Sequence, residues 1–129
     1  MISERLVRSF HQTRYEAGGA TARIGRRSPS MRALLQAQGQ RQGAIITAWN
    51  PLARRHPEGW NRRAQMRLEA LARRVPLIRG AGYGRGWREE HCLIGCSTRK
   101  ALKLARRFRQ LAIVVIRRDG LAQLKWLRH

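Results

Sequence analysis

The sequence predicts an α+β domain, similar to α/β folds in its layers, in which a single mixed β-sheet of five to six strands is flanked by three to four helices. Two observations favour this fold. Segments 43–50 and 112–116 are apolar on both sets of alternate positions, as in strands covered on both faces. Segments 60–75 and 97–109 instead repeat their apolar residues at helical spacing. Because 43% of the 129 residues are hydrophobic, we expect one domain, 1–129, with its own core.

The N-terminal part predicts two helices and a short strand. Ile2, Leu6 and Phe10 recur every four residues, which predicts an amphipathic helix over 2–12. We expect this helix and its linker, residues 1–17, to be able to move separately from the rest. A short strand near a sheet edge is predicted at 20–24, after two glycines. Ser28-Pro29 then predicts the capped start of a second helix, which Gly39 ends.

The segment 43–50 is the predicted central strand. Its apolar residues indicate burial on both faces, and Pro51 closes it because proline cannot donate to a ladder. The residue before a proline favours extended geometry, so Asn50 is expected at the very end of the strand. Ligands of α/β sheets often bind at such an edge. Alternatively, Asn50 and Asn61 bridge the loop that follows the strand.

The rest of the chain predicts two helices and three or four strands. Four glycines at alternate positions in 80–87 predict a mobile or tightly turned loop, which matches neither a P-loop nor a dinucleotide fingerprint. Asp119-Gly120 predicts a hairpin turn. In order, the predicted elements are a helix at 60–75, a brief strand at 77–79, a strand at 92–96, a helix at 97–109 and strands at 112–116 and 122–127.

The charge predicts affinity for polyanions. Lys and Arg number 28 against 7 Asp and Glu, which gives a net charge of +21. Such a chain attracts RNA, DNA, an anionic surface or an acidic protein partner. Because 25 of the 28 are arginine, the high charge has a competing explanation, the codon composition of a GC-rich genome, besides selection for phosphate contacts. The candidate nucleic-acid contacts lie on the helix at 97–109 and in the glycine-rich segment: Arg85, Arg88, Arg99, Lys100, Lys103, Arg106 and Arg107.

Neither a metal nor a cofactor is expected. Cys92 and Cys96, four apart on a strand, would lie roughly 13 Å apart, and the histidines show no ligand spacing. His91 is interpreted as structural.

No apolar run is long enough to cross a membrane, and no signal peptide is recognised, so we expect a cytoplasmic protein.

Glu89 and Glu90 do not form a catalytic pair, because neighbours on an extended chain point to opposite faces. Glu89 alone either binds an arginine of the fold or faces a ligand. Gln110, between a helix and a strand, is expected to cap one of them.

Several short motifs together resemble a known family. They are Phe10-x-x-Thr13-x-Tyr15, Thr47-Ala48-Trp49-Asn50-Pro51, Asn61, Gly86-Trp87-x-Glu89, Leu93-Ile94-Gly95 and Phe108-x-Gln110. The pattern is similar to domain of unknown function family 3293, small bacterial proteins, over residues 10–125. Arg109 and Leu111 depart from the family's usual Gly and Asn.

The resemblance implies no known activity, and whether the protein is an enzyme stays open. It does single out six pocket candidates at the ends of predicted elements: Thr47, Asn50, Asn61, Trp87, Glu89 and Gln110. The leading hypothesis is therefore a polyanion-binding protein, and the alternative is a small-molecule or nucleotide pocket, catalytic or not, that uses the Thr47-Ala48-Trp49-Asn50-Pro51 element and Glu89.

Overall fold

A computed structural model describes residues 2–128. Within this range the helices are α1 (Glu4–Gln12), α2 (Pro29–Ala37), α3 (Glu58–Leu71) and α4 (Thr98–Arg107). The strands are β1 (Arg14–Ala17), β2 (Ala20–Ala22), β3 (Gly43–Ile46), β4 (Leu77–Gly84), β5 (Trp87–Ile94), β6 (Ala112–Ile116) and β7 (Ala122–Trp126). In the described part of the chain, no helix has both the length and the apolar character needed to cross a bilayer.

The strands form one sheet in the order β2-β1-β4-β5-β3-β6-β7, and every neighbouring pair is antiparallel. The α+β class with four helices is confirmed. The expected five to six strands and the mixed directions are wrong. Hairpins join β1 to β2, β4 to β5 and β6 to β7, and a hairpin can only produce antiparallel neighbours. The prediction also missed β1 and most of β4.

The sheet curls until its two edges approach each other. Residue Ile24, just after the edge strand β2, pairs with Ala122 of the opposite edge strand β7, and Arg27 pairs with Leu121. The Gly25 amide donates to the Ala122 carbonyl at 2.8 Å. The sheet therefore has an inner face, which carries side chains from both edges, and an outer face.

Each face has its own apolar core. Helix α2 packs on the inner face and buries Met31 and Leu35 with the strand residues Tyr15, Ile45, Leu93 and Val114. Helix α1 lies on the same side, where the Phe10 ring meets Trp126 edge-on with centroids 5.4 Å apart. Helices α3 and α4 both pack on the outer face. Their buried residues include Ala64, Leu68, Ala101 and Ala105.

The glycine-rich segment is a strand and not the loop that its composition predicts. Strand β4 pairs with β5 along its whole length, with Gly80 opposite His91, Gly82 opposite Glu89 and Gly84 opposite Trp87. A Cβ at Gly80 would collide with the Glu16 carbonyl of β1, and one at Gly84 would collide with the Trp87 ring. Alternate glycines thus give β4 one bare face, which permits close approach of the neighbouring backbone and rings.

The central strand is shorter than predicted. Strand β3 is buried along its length but ends at Ile46, and Asn50 adopts φ 49° and ψ 61° rather than extended geometry. Asparagine tolerates this left-handed conformation when its side chain is hydrogen-bonded locally. The strand predicted at 92–96 is also misplaced, since β5 covers Trp87–Ile94 and Cys96 lies beyond it.

Candidate functional site

One cavity on the inner face collects all six pocket candidates. It has a volume of about 730 Å³ and opens between α1, the β4–β5 hairpin and the segment that follows β3. Its lining includes Thr47, Asn50, Asn61, Trp87, Glu89 and Gln110. We call it the inner cavity. Side chains from four separate stretches of sequence therefore meet at one place.

Asn50 is the centre of the polar network at this cavity. Its Nδ2 donates to Glu89 Oε1 at 2.7 Å, and its Oδ1 accepts from Asn61 Nδ2 and from the His56 amide, both at 2.9 Å. Asn61 Oδ1 accepts from the Asn50 amide at 2.9 Å. The bridge between the two asparagines is confirmed, and it holds Asn50 in its left-handed conformation.

Three of the six candidates stabilise the loop that carries Asn50 through hydrogen bonds, namely Thr47, Asn61 and Gln110. The Thr47 hydroxyl donates to the Glu90 carbonyl at 2.6 Å, and Gln110 Nε2 donates to the Trp49 carbonyl at 3.1 Å. Asn61 and Gln110 are only 2% and 7% exposed. The side chains left to meet a ligand are therefore Asn50, Glu89 and Trp87, the last of which is 40% exposed.

Glu89 and Glu90 face opposite sides of the sheet, as expected. Glu89 lines the inner cavity, where burial raises its pKa although the hydrogen bond from Asn50 opposes the shift. Glu90 lies within 3.6 Å of Arg88 and 4.0 Å of Arg62, on α3. Glu89 forms no arginine pair among the described residues, and its other predicted role, facing a ligand, stays a prediction.

Sequence reasoning missed the floor of this cavity. Thr13, Tyr15 and His91 all line it and are at most 7% exposed. The Tyr15 and His91 rings stack with centroids 6.0 Å apart, and burial lowers the pKa of His91 to about 4. One signal was present in the sequence, because Glu89 and His91 are two residues apart and so share a strand face.

The nucleic-acid candidates do not form one patch. Arg99, Lys100, Lys103, Arg106 and Arg107 lie on α4, whereas Arg85 is in the β4–β5 turn and Arg88 is at the inner cavity. A second cavity, of about 750 Å³, lies on the opposite side beside α3 and the end of α4. Its charged lining residues are the arginines Arg54, Arg67, Arg107 and Arg109, three of which were not predicted.

We call this second cavity the outer groove. Its other lining residues include Trp60, Leu71 and Phe108, and no Asp or Glu is among those described. The His56 ring packs against Trp60 with centroids 4.2 Å apart. His56 also lines the inner cavity, so the segment after β3 forms a wall between the two cavities.

The comparison with known families decides the affiliation of the chain. A family model described as "Protein of unknown function (DUF3293)" matches residues 46–113, more than half of the sequence. The chain belongs to the DUF3293 family. The match includes all six pocket candidates of this DUF3293 protein, whereas Thr13 and Tyr15 precede it. Neither a curated protein nor a solved structure matches the chain.

The cysteines of this DUF3293 protein lie away from both cavities. Cys92 is buried on the outer face of β5, where burial raises the pKa of its thiol to about 12, and Cys96 is also unpaired. Among residues 2–128 no three His, Cys, Asp or Glu side chains are grouped closely enough to hold a metal ion.

Proposed function

We propose that this protein binds single-stranded nucleic acid, RNA or DNA, in the outer groove. The observation that carries the proposal is the composition of the outer groove. Four arginines surround an apolar, aromatic floor, and none of the described residues that line the groove is acidic. Arginines bind phosphates, and aromatic rings stack on unpaired bases.

The packing of α3 and α4 on the same face of the sheet concentrates positive charge there. Both helices bury small apolar residues and turn their basic residues outward. The exposed cations of this basic layer are Arg62, Arg63, Arg67, Arg99, Lys100, Lys103, Arg106 and Arg107. Among the ion pairs of the described residues, Arg62 is the one cation of this layer with an acidic partner, Glu58 at 2.8 Å and Glu90 at 4.0 Å, so the other seven stay available for phosphates.

The floor of the groove favours a single strand over a duplex. Leu71 is 49% exposed, and Trp60 and Phe108 are half-buried beside it. In a duplex the base faces are hidden, so an apolar floor offers no contact beyond the backbone. Unstacked bases can cover such a floor, and each stacked base contributes about 1–3 kcal/mol.

The backbone next to the groove is held in an unusual conformation. Leu52 and Ala53 have φ of 55° and 59°, and Arg109 has φ of 53°, although none is glycine. The Leu52 amide donates to the Arg109 carbonyl at 2.8 Å, which ties the two strained stretches together. Strained residues of this kind cluster at binding sites, where the surrounding structure fixes them.

A fluorescence-anisotropy titration tests this function. The probes are labelled single strands of uridine or thymidine, about 20 nucleotides long, and a duplex of the same length. Between about 50 and 300 mM salt, the affinity for the single strand should fall linearly on logarithmic axes. The single strand should also bind more tightly than the duplex. Equal or tighter binding of the duplex would contradict the role of the apolar floor.

A pair of double variants separates the groove from bulk charge. Arg67→Gln with Arg107→Gln removes two groove arginines, whereas Arg5→Gln with Arg32→Gln removes the same charge from α1 and α2, on the other side of the sheet. The groove variant should bind the single strand about tenfold more weakly than the control variant. Equal losses would show that binding depends on net charge alone.

Ligand binding in the inner cavity is the second candidate function. It is supported by the convergence of the six side chains on one cavity and by the half-buried carboxylate of Glu89.

A further inference from the structure

The floor of the inner cavity, formed by Thr13, Tyr15 and His91, presents hydrogen-bond acceptors. Its two hydroxyl groups already donate their protons to backbone carbonyls, Thr13 to Ser9 at 2.7 Å and Tyr15 to Phe10 at 3.3 Å. A hydroxyl whose proton is engaged can only accept from a ligand.

His91 follows the same rule. Its Nε2 lies 2.7 Å from the Glu16 carbonyl oxygen, which can only accept, so Nε2 must carry the proton. Burial keeps this imidazole neutral at pH 7 by lowering its pKa to about 4. Its Nδ1 is therefore a second acceptor on the inner face of β5, two residues from the Glu89 carboxylate.

Among the described charged residues that line the cavity, Glu89 is half-buried, whereas Arg55, Glu58 and Arg88 are exposed. Glu89 accepts one hydrogen bond, from Asn50, which leaves most of the acceptor capacity of a carboxylate for a ligand. The aromatic rings of Phe10, Tyr15 and Trp87 line the same cavity, and ring faces attract cations. Arg55, Arg88 and Glu58 also line it, and Arg88 lies within 3.6 Å of Glu90.

We infer that the inner cavity binds an organic cation that carries N–H donors, an alkylammonium or guanidinium group on a compact apolar body, with Glu89 as its counter-ion. A donor-rich cation satisfies both the Glu89 carboxylate and the acceptors of the floor, whereas an anion at the same place would meet the half-buried carboxylate, although Arg55, Arg88 and the unpaired Trp49 Nε1 also line the cavity. This inference rests on the second candidate function, ligand binding in the inner cavity, and is independent of nucleic-acid binding in the outer groove.

Isothermal titration calorimetry with three probes of one shape tests the inference. Benzylamine, benzyl alcohol and benzoate share a ring but are cationic, neutral and anionic. Benzylamine should bind at least about tenfold more tightly than benzyl alcohol, which is the size of one charge-assisted hydrogen bond, and benzoate should bind most weakly. Equal binding of benzyl alcohol or benzoate, or no detectable binding of benzylamine, would overturn the inference.

Two variants of neighbouring residues identify the counter-ion. Glu89→Gln keeps an acceptor for Asn50 but removes the charge, and it should weaken benzylamine binding by a factor of about ten or more. Glu90→Gln makes the same change of charge on the other face of β5 and should leave the affinity within about twofold. Unchanged affinity in Glu89→Gln would refute the role of Glu89.

A third variant blocks the cavity while keeping the charge. A Cβ at Gly82 would lie 3.2 Å from the Thr13 methyl group and 3.8 Å from His91 Nδ1, so Gly82→Ala should also weaken benzylamine binding. Oligonucleotide affinity should be unchanged in Glu89→Gln and in Gly82→Ala, so that failure of this inference and failure of the nucleic-acid proposal are separate results.

Discussion

Gly82 faces Glu89 across the β4–β5 ladder, and both residues line the inner cavity. Directly opposed residues of an antiparallel pair place their side chains on the same face, where they normally contact each other. Here one partner has none. Gly82 therefore leaves room at the inner cavity that a side chain would occupy, whereas Gly80 and Gly84 accommodate the Glu16 carbonyl and the Trp87 ring.

The first prediction concerns Gly80, where β1 crosses close to β4. Gly80→Ala would force its Cβ against the Glu16 carbonyl, which is backbone and cannot rotate away. We expect a loss of at least about 3 kcal/mol in the free energy of unfolding, measured by urea denaturation. Gly59→Ala is the control, because its Cβ meets only the tip of Arg63 on α3, and it should be neutral or stabilising by up to about 1 kcal/mol. Similar losses in both variants would contradict this account.

The second prediction links the Glu89 site to stability. Because burial raises the pKa of Glu89 in the folded protein, its ionised form destabilises the fold as pH rises through that raised pKa. Glu89→Gln should therefore raise the urea midpoint at pH 7.5. The gain should vanish below the ordinary carboxyl value of 4.5, where both states are protonated. A lower midpoint at pH 7.5 would show that the carboxylate stabilises the fold.

The third prediction concerns His91 and acid. Burial lowers its pKa from 6.5 to about 4, so the unfolded chain takes up a proton at a higher pH than the folded protein does. Stability should therefore fall as pH decreases from 7.5 to 5, by about 2 kcal/mol from this residue. His91→Gln, which keeps a donor for the Glu16 carbonyl, should lose correspondingly less over the same range. The same pH dependence of stability in both proteins would show that a residue other than His91 causes it.

The fourth prediction concerns Asn61. Its side chain accepts from the Asn50 amide and donates to Asn50 Oδ1 and to the His56 carbonyl, so Asn61→Ala leaves several half-buried groups unpaired. We expect a loss of about 2–3 kcal/mol and faster hydrogen exchange of the Asn50 amide. Gln36→Ala, on the exposed side of α2, should change stability by less than about 0.5 kcal/mol. An equal effect of the two substitutions would argue against the network.

Local signals in the sequence located the helices well. The Ser28 hydroxyl accepts from the Met31 amide, as its predicted N-cap position requires, and the Ser97 hydroxyl caps α4 in the same way by accepting from the Lys100 amide. Gly120, with φ of 88°, takes the turn between β6 and β7. These features depend on a few neighbouring residues, and so a single sequence can reveal them.

The missed features depend on distant parts of the chain. The glycines of β4 read as a loop because their role, close contact with β1 and with Trp87, is visible only once the strands are paired. Likewise, the six pocket candidates were identified individually, but Tyr15 is distant from them in sequence, and the spacing of two between Glu89 and His91 was the one local signal for the floor. The outer groove was missed because helix periodicity does not tell which two helices share a face.

The pairing of Ile24 with Ala122 has a consequence for how the chain reaches its native state. Two segments that are far apart in sequence must meet before the curl is complete, and long loops of this kind slow folding. During synthesis β1 and β2 cannot join the complete sheet until β4 and then β7 have been made, so most of the cooperative stability of the fold should arise late. Truncation before Leu121 is therefore expected to yield a partly collapsed, aggregation-prone chain rather than a smaller stable protein.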